Sequence, residues 1–149
     1  MNIDEYDEAE EIYKRVLTMD IENLGKNHPN VASDHTGIAT LLKYQKKYTE
    51  AEKHLKESLD IRRSVYQNEN HPYIAQNLRS LADIMVKTNR FEVADSLYRQ
   101  SLVAFINSYG KDNDEVKNSI DKYLHDAKLW GYQNSPDSLV SELSQDLND

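Results

Sequence analysis

The residues of this 149-residue chain best suited to hold a metal or move a proton near neutral pH are its five histidines. Two of them precede proline and lie 43 residues apart, in Lys26-Asn27-His28-Pro29-Asn30-Val31-Ala32 and in Asn68-Glu69-Asn70-His71-Pro72-Tyr73-Ile74-Ala75. His125 follows Asp121 by four residues, the spacing that sets a carboxylate and an imidazole on one helical face. Two such donors bind a metal weakly, because a stable site needs three or four. His35 falls where a helix presents a core or groove residue, and His54 is expected on an exposed helix face. There is no cysteine, hence no disulfide and no thiolate ligand. No phosphate-cradling glycine loop, dinucleotide fingerprint, H-E-x-x-H or nucleophile elbow occurs. The carboxylates are scattered as helix surface charge, whereas acid–base work needs two in one pocket with separated pKa values. The expectation is therefore no catalytic residue, no metal and no cofactor, in a protein that is not an enzyme.

The elements that would position these residues are written in a repeat. Three stretches align: Tyr6 to Leu17, Tyr48 to Leu59 and Phe91 to Leu102. Each opens on an aromatic residue, has Ala (Ala9, Ala51, Ala94) three residues on, and a large apolar residue (Tyr13, Leu55, Tyr98) four after that. Val16, Ser58 and Ser101 follow, each before Leu. This spacing marks one face of an amphipathic helix. The intervening segments repeat as well. Val31, Ile74 and Val116 stand in register, and Ala39, Ala82 and Leu124 come eight residues later. The third corner, Gly110 to Val116, has lost His-Pro but kept its position. Each unit thus reads helix A, short turn, helix B, corner. Pro29 and Pro72 suit a first helical turn, where a missing N–H costs nothing. His28 and His71 then belong near N-caps and are not ligands. Ala39, Ala51, Ala82 and Ala94 let paired helices close up, and Leu42, Leu55, Met85 and Tyr98 fill the space between them. Pairs Glu10–Lys14, Glu11–Arg15, Glu52–Lys56 and Asp95–Arg99 at i,i+4 would lace the exposed faces for about 0.2–0.5 kcal/mol each.

The G-x-x-H-P-x-V/I-A corner, the small residues at Ala39 and Ala82 and the Y/F-x-x-A opening of helix B resemble the tetratricopeptide repeat, in the 42-residue form of kinesin light chains. The resemblance covers roughly residues 6 to 130. It implies an all-α fold, a right-handed αα superhelix (a TPR solenoid) of antiparallel helix pairs. The organisation read on that basis is an array over 1–131, with a half repeat at 4–25, full repeats at 29–67 and 72–110, and a degenerate half repeat at 114–131. Residues 132–149 would form a capping helix, with Ser135 as N-cap, Pro136 at the first position and an apolar stripe Leu139, Val140, Leu143, Leu147, or else an acidic tail. The family's usual Asn-Asn of helix A is replaced by Thr36-Gly37 and Arg79-Ser80.

The resemblance also implies that helices A line a concave face on which a protein or peptide ligand is held. Carried onto this chain, that face holds Thr36, Thr40, Lys43 and Tyr44, then Gln76, Arg79, Asp83 and Lys87, then Asn118 and Lys122. Lys43, Arg79, Lys87 and Lys122 suit the carboxylates of an acidic peptide, and Arg79 can engage one in bidentate fashion. Arg79→Glu is expected here to weaken binding without changing the melting temperature. The primary reading is an interaction scaffold. The alternative is a structural subunit packed in a larger assembly, or self-associating, through its N-terminal helix, whose Ala9, Tyr13 and Val16 have no preceding helix A to cover them. A net charge of −8 argues against nucleic acid and anionic membranes as partners. No apolar run is long enough to span a bilayer, and the acidic first residues are unlike a secretory signal, so a cytoplasmic location is expected.

Overall fold

Helices begin and end where the corner residues dictate. The computed structural model describes the backbone of residues 3–146 and the side chains of residues 5–145. Its elements are α1 (Ile3–Leu24), α2 (Pro29–Tyr44), α3 (Tyr48–Tyr66), α4 (Pro72–Lys87), α5 (Phe91–Tyr109), α6 (Asp114–Ala127), a 3₁₀ turn (Lys128–Trp130) and α7 (Pro136–Asp146). All regular structure among the described residues is helical, and α2/α3 and α4/α5 pack as helix pairs, so the all-α class read from the repeat holds. The chain forms two compact units, Met1–Asn68 with α1 to α3 and Glu69–Asp149 with α4 to α7.

The two His-Pro histidines are themselves the N-caps. His28 Nδ1 accepts from the Asn30 amide at 3.1 Å, and His71 Nδ1 accepts from the Tyr73 amide at 3.2 Å. Each satisfies one of the orphan donors of a first helical turn. Asn113 stands at the same register in the third corner, and its side chain accepts from the Glu115 amide at 2.8 Å. The third corner thus lost the imidazole and kept its task.

The turns between paired helices repeat just as closely. Lys46, Asn89 and Gly131 share one register and all adopt positive φ, at 61°, 59° and 83°. The residue after each closes a bond five residues back: Lys47 to Leu42 O at 2.8 Å, Arg90 to Met85 O at 2.8 Å and Tyr132 to Ala127 O at 3.1 Å. This is the Schellman closure of a helix end.

Within the first unit, Ala39 and Ala51 are fully buried with Leu42 and Leu55, and Ser58 Oγ donates to the Ala32 carbonyl at 2.7 Å. Leu17 and Ile21 of α1 pack on Val31, Ala32 and Ile61. Tyr13 lies against Gly37, where a Cβ would stand 2.5 Å from its ring. Within the second unit the same bond recurs as Ser101 Oγ to the Ala75 carbonyl, also at 2.7 Å. Its core joins Ala82, Tyr98, Leu102, Phe105, Val116, Ile120 and Tyr123 to Leu139 and Leu143 of α7. Ser135 starts α7, its Oγ accepting from the Ser138 amide at 3.2 Å. Leu147, the fourth member of the apolar stripe, lies outside the described residues. Of the four surface pairs, Glu10–Lys14, Glu52–Lys56 and Asp95–Arg99 close at 2.5, 2.6 and 3.2 Å.

Gly131 gives a clean test of the turn, because a Cβ there meets no atom within 4 Å and only the left-handed backbone opposes it. Gly131→Ala should cost about 1–2 kcal/mol, read as a lower urea midpoint with an unchanged slope.

Candidate functional site

The ten residues read from the repeat as a binding face divide by unit. In the first unit Thr36 is half-buried, its Oγ1 bonded to the Ala32 carbonyl at 3.0 Å and lying 3.0 Å from Ser58 Oγ. Thr40 is exposed and its hydroxyl donates to the Thr36 carbonyl at 2.9 Å, while Lys43 is half-buried. Tyr44 is 63% exposed. It stacks on Tyr6 of α1 with ring centroids 6.3 Å apart. Around this pair opens a pocket of about 440 Å³ lined by Tyr6, Asp7, Tyr44, Gln45, Lys46 and Lys47. Gln45 donates to Asp7 at 3.1 Å, and its carbonyl oxygen is buried without a partner. Sequence reasoning reached Tyr44 but not the rest of this pocket. Tyr6 sits 38 residues away, and its place beside Tyr44 comes from the packing of α1 on α2.

In the second unit two of the predicted cations, Arg79 and Lys122, are already engaged. Arg79 Nη1 donates to Glu115 Oε1 and to Ser119 Oγ, each at 2.6 Å, and its guanidinium lies 5.3 Å from the centre of the Phe105 ring. Lys122 Nζ stands 3.0 Å from Asp83 and 2.9 Å from Asp126. Asp126, on the same helix face, also accepts from the buried Tyr98 hydroxyl at 2.6 Å. Burial alone would lower the Lys122 pKa, but the hydrogen bonds to Asp126 and Asp83 outweigh it and hold the ammonium above its ordinary range. Burial, then the bond to Asp126, pushes the Tyr98 phenol up. Arg79 with Glu115 and Ser119, and Lys122 with Asp83, thus make two bridges from α4 to α6. Gln76 is half-buried, and Lys87 and Asn118 are exposed.

Of a second polar cluster, only the Asp95–Arg99 pair was read in the sequence. Arg99 lies over the rings of Tyr123 and Tyr132, at 5.7 and 5.2 Å, and pairs with Asp95 and Glu142. The Tyr123 hydroxyl donates to Asp95 at 2.7 Å. This cluster ties α7 to α5 and α6. Glu10, taken from the sequence as surface charge, is buried in the first unit. The Lys14 hydrogen bond, with Lys47 at 3.4 Å, holds its carboxyl below the usual value.

The histidines also fall into place. His54 is not on an open face: its Nδ1 is 2.8 Å from Nδ1 of His35. Asp121 and His125 line an open pocket with Leu124, Lys128 and Asn134. Among the described residues no group of three or more His, Cys, Asp or Glu is placed to hold a metal ion.

The sequence matches the tetratricopeptide repeat family over residues 2–64 and again over residues 35–107. The chain belongs to the tetratricopeptide repeat family. Human "Tetratricopeptide repeat protein 19, mitochondrial" is 26% identical over 95 residues, which cover 64% of this chain and 24% of that protein. The crystal structure of BtubC (BKLC) from P. vanneervenii superposes with a TM-score of 0.80 at 18% identity, over 95% of this chain and 56% of that one. The chain therefore spans about a quarter of the first protein and just over half of the second. The second likeness bears on the fold alone. Proteins of this repeat family generally bind other proteins, and their fold typically serves non-enzymatic scaffolds. No described helix of this repeat protein is long and apolar enough to cross a membrane.

The Arg79 pairing changes the expected effect of its substitution. In Arg79→Glu a carboxylate would face Glu115 and leave Ser119 without its donor. The variant should lose about 1–2 kcal/mol of stability, read as a fall in melting temperature and not only in binding.

Proposed function

We propose that this repeat protein is an interaction scaffold that binds a peptide or protein segment on the face of its helices A. The observation that carries the reading is the Tyr6–Tyr44 pocket at the end of α2. It combines two stacked phenols, Lys46 and the Glu10-paired Lys47 in its lining, and an unpartnered amide oxygen on Gln45. Aromatic residues with an apolar body and a polar tip are the side chains most often found at the centre of protein interfaces. Thr40 and Lys43 extend the same helix toward this pocket, and Lys87 and Asn118 are the exposed members of the set in the second unit. Arg79 and Lys122 contribute by shaping α4 and α6, since their charges are met within the protein. An acidic segment with an apolar anchor suits this chemistry. The proposed compartment is the cytoplasm.

An Asp/Glu-rich peptide carrying one aromatic residue, titrated against the protein, tests the reading. Tyr44→Ala should weaken its binding at least about tenfold, as expected for an aromatic anchor worth over 1 kcal/mol, with the melting temperature unchanged. Equal affinity of the two proteins would remove the pocket from the proposal.

The alternative, attachment through the N-terminal helix, is favoured by a separate observation. Ile12, Tyr13, Val16 and Met19 of α1 are 53, 39, 40 and 57% exposed. Their counterparts in register on α3 and α5 face α2 and α4. A stripe of this kind marks a contact surface. Under this reading Met19→Asp lowers the mass measured by sedimentation at high concentration. A strict monomer at every concentration would count against self-association.

A further inference from the structure

His35 of α2 and His54 of α3 meet in the first unit with their Nδ1 atoms 2.8 Å apart, and both rings are about half-buried. The ring centroids are 5.1 Å apart, which is the N···N distance lengthened by one ring radius at each end. The two nitrogens therefore point straight at one another. That geometry suits a proton, because an N–H···N bond is straight. It does not suit a metal, whose two ligands must converge on it at an angle. One ring must donate and the other must accept, so at least one imidazole is neutral at Nδ1.

We propose that His35 and His54 form a proton-operated latch between α2 and α3, closed while the pair holds at most one extra proton and opened when both rings are protonated. With one added proton the bond survives as a charge-assisted N⁺–H···N contact. With two, both Nδ1 atoms carry hydrogen, neither can accept, and two like charges face each other in a half-buried site. The hydroxyl contact of Thr36 with Ser58 lies one residue along α2 and would be strained with it.

The surroundings decide the pH at which this happens. Burial lowers the pKa of both rings, and each is pushed further down by positive charge: His35 by His54, and His54 by Lys14 of α1 and Lys53 of α3. Glu57 acts on His35, and Glu10 and Glu50 on His54, in the opposite sense. Glu10 is largely spent on Lys14 and Lys47. An unfolded chain takes up protons at histidine near pH 6.5. The folded pair takes them up later, so the latch contribution is complete above that pH and is lost as pH falls below it. Asp34, beside His35 on α2, titrates with the opposite sign. Burial, then the charge of Asp20, raises its pKa, so its protonation favours the folded state as pH falls.

The wild-type protein and one double variant decide the matter. Ring-nitrogen NMR across pH 8 to 4.5 should show His35 and His54 titrating as one coupled pair in two steps, both below the range of an exposed histidine. Amide-exchange protection in α2, corrected for the intrinsic pH dependence of exchange, should be lost progressively between pH 7 and 5. The double variant His35→Asn/His54→Asn, which can keep a neutral hydrogen bond, should show a smaller fall. The caps His28 and His71 are present in both proteins, so the difference reports the pair. Independent titration of the two rings, flat protection in α2, or the same loss in the double variant would overturn the latch. So would zinc chloride displacing the Nδ1 proton at pH 7, which would make the pair a metal site.

Discussion

The close approach of two helices at alanine is the constraint on which this protein is built. Ala39 and Ala51 in the first helix pair, and Ala82 and Ala94 in the second, are fully buried. A larger side chain at any of these positions would hold the backbones apart and break the serine bridge from helix B to the helix A carbonyl. With the backbones close, Leu42 and Leu55, or Met85 and Tyr98, have room on either side of the contact and are almost wholly buried. Each large side chain buried in this way is worth about 1.5–3 kcal/mol. The turn must then reverse the chain within a few residues. That is why Lys46 and Asn89 accept a left-handed backbone that glycine would take more easily.

The acidic chain answers much of its charge from within. Arg79 bridges α4 to α6, Lys122 sits between two aspartates, and Arg99 lies between aromatic rings and carboxylates that fasten α7. Such part-buried contacts are directional and hold helices in register. They also withdraw cations from any partner. What is left for recognition in the first unit is the exposed phenol of Tyr44 with lysines around it, and along α1 an apolar stripe.

The expectations that the structure met came from residues acting locally. Helix limits follow from His-Pro, from Ser135-Pro136 and from the period of alanine and leucine, because caps and amphipathic faces act over one or two turns. Where the expectations went astray, a distant residue was involved. His54 looked exposed because its own helix places it beside the apolar face, and only α2 supplies His35. Glu10 looked like surface charge until Lys47, from the turn after α2, closed over it. Arg79 read as a free anchor because Glu115 is 36 residues away. Asn113 was missed as a cap for a different reason: the corner was read through His-Pro, although asparagine is itself a favoured N-cap residue.

The amino-acid sequence by itself determined the all-α class, the repeat and the faces that are buried, since these depend on spacing within a helix and between its copies. The tertiary structure alone decided which polar side chains face one another. Hydrogen bonds and ion pairs are made or lost by shifts of a fraction of an ångström between helices, and nothing in the order of residues along one helix fixes the position of the next.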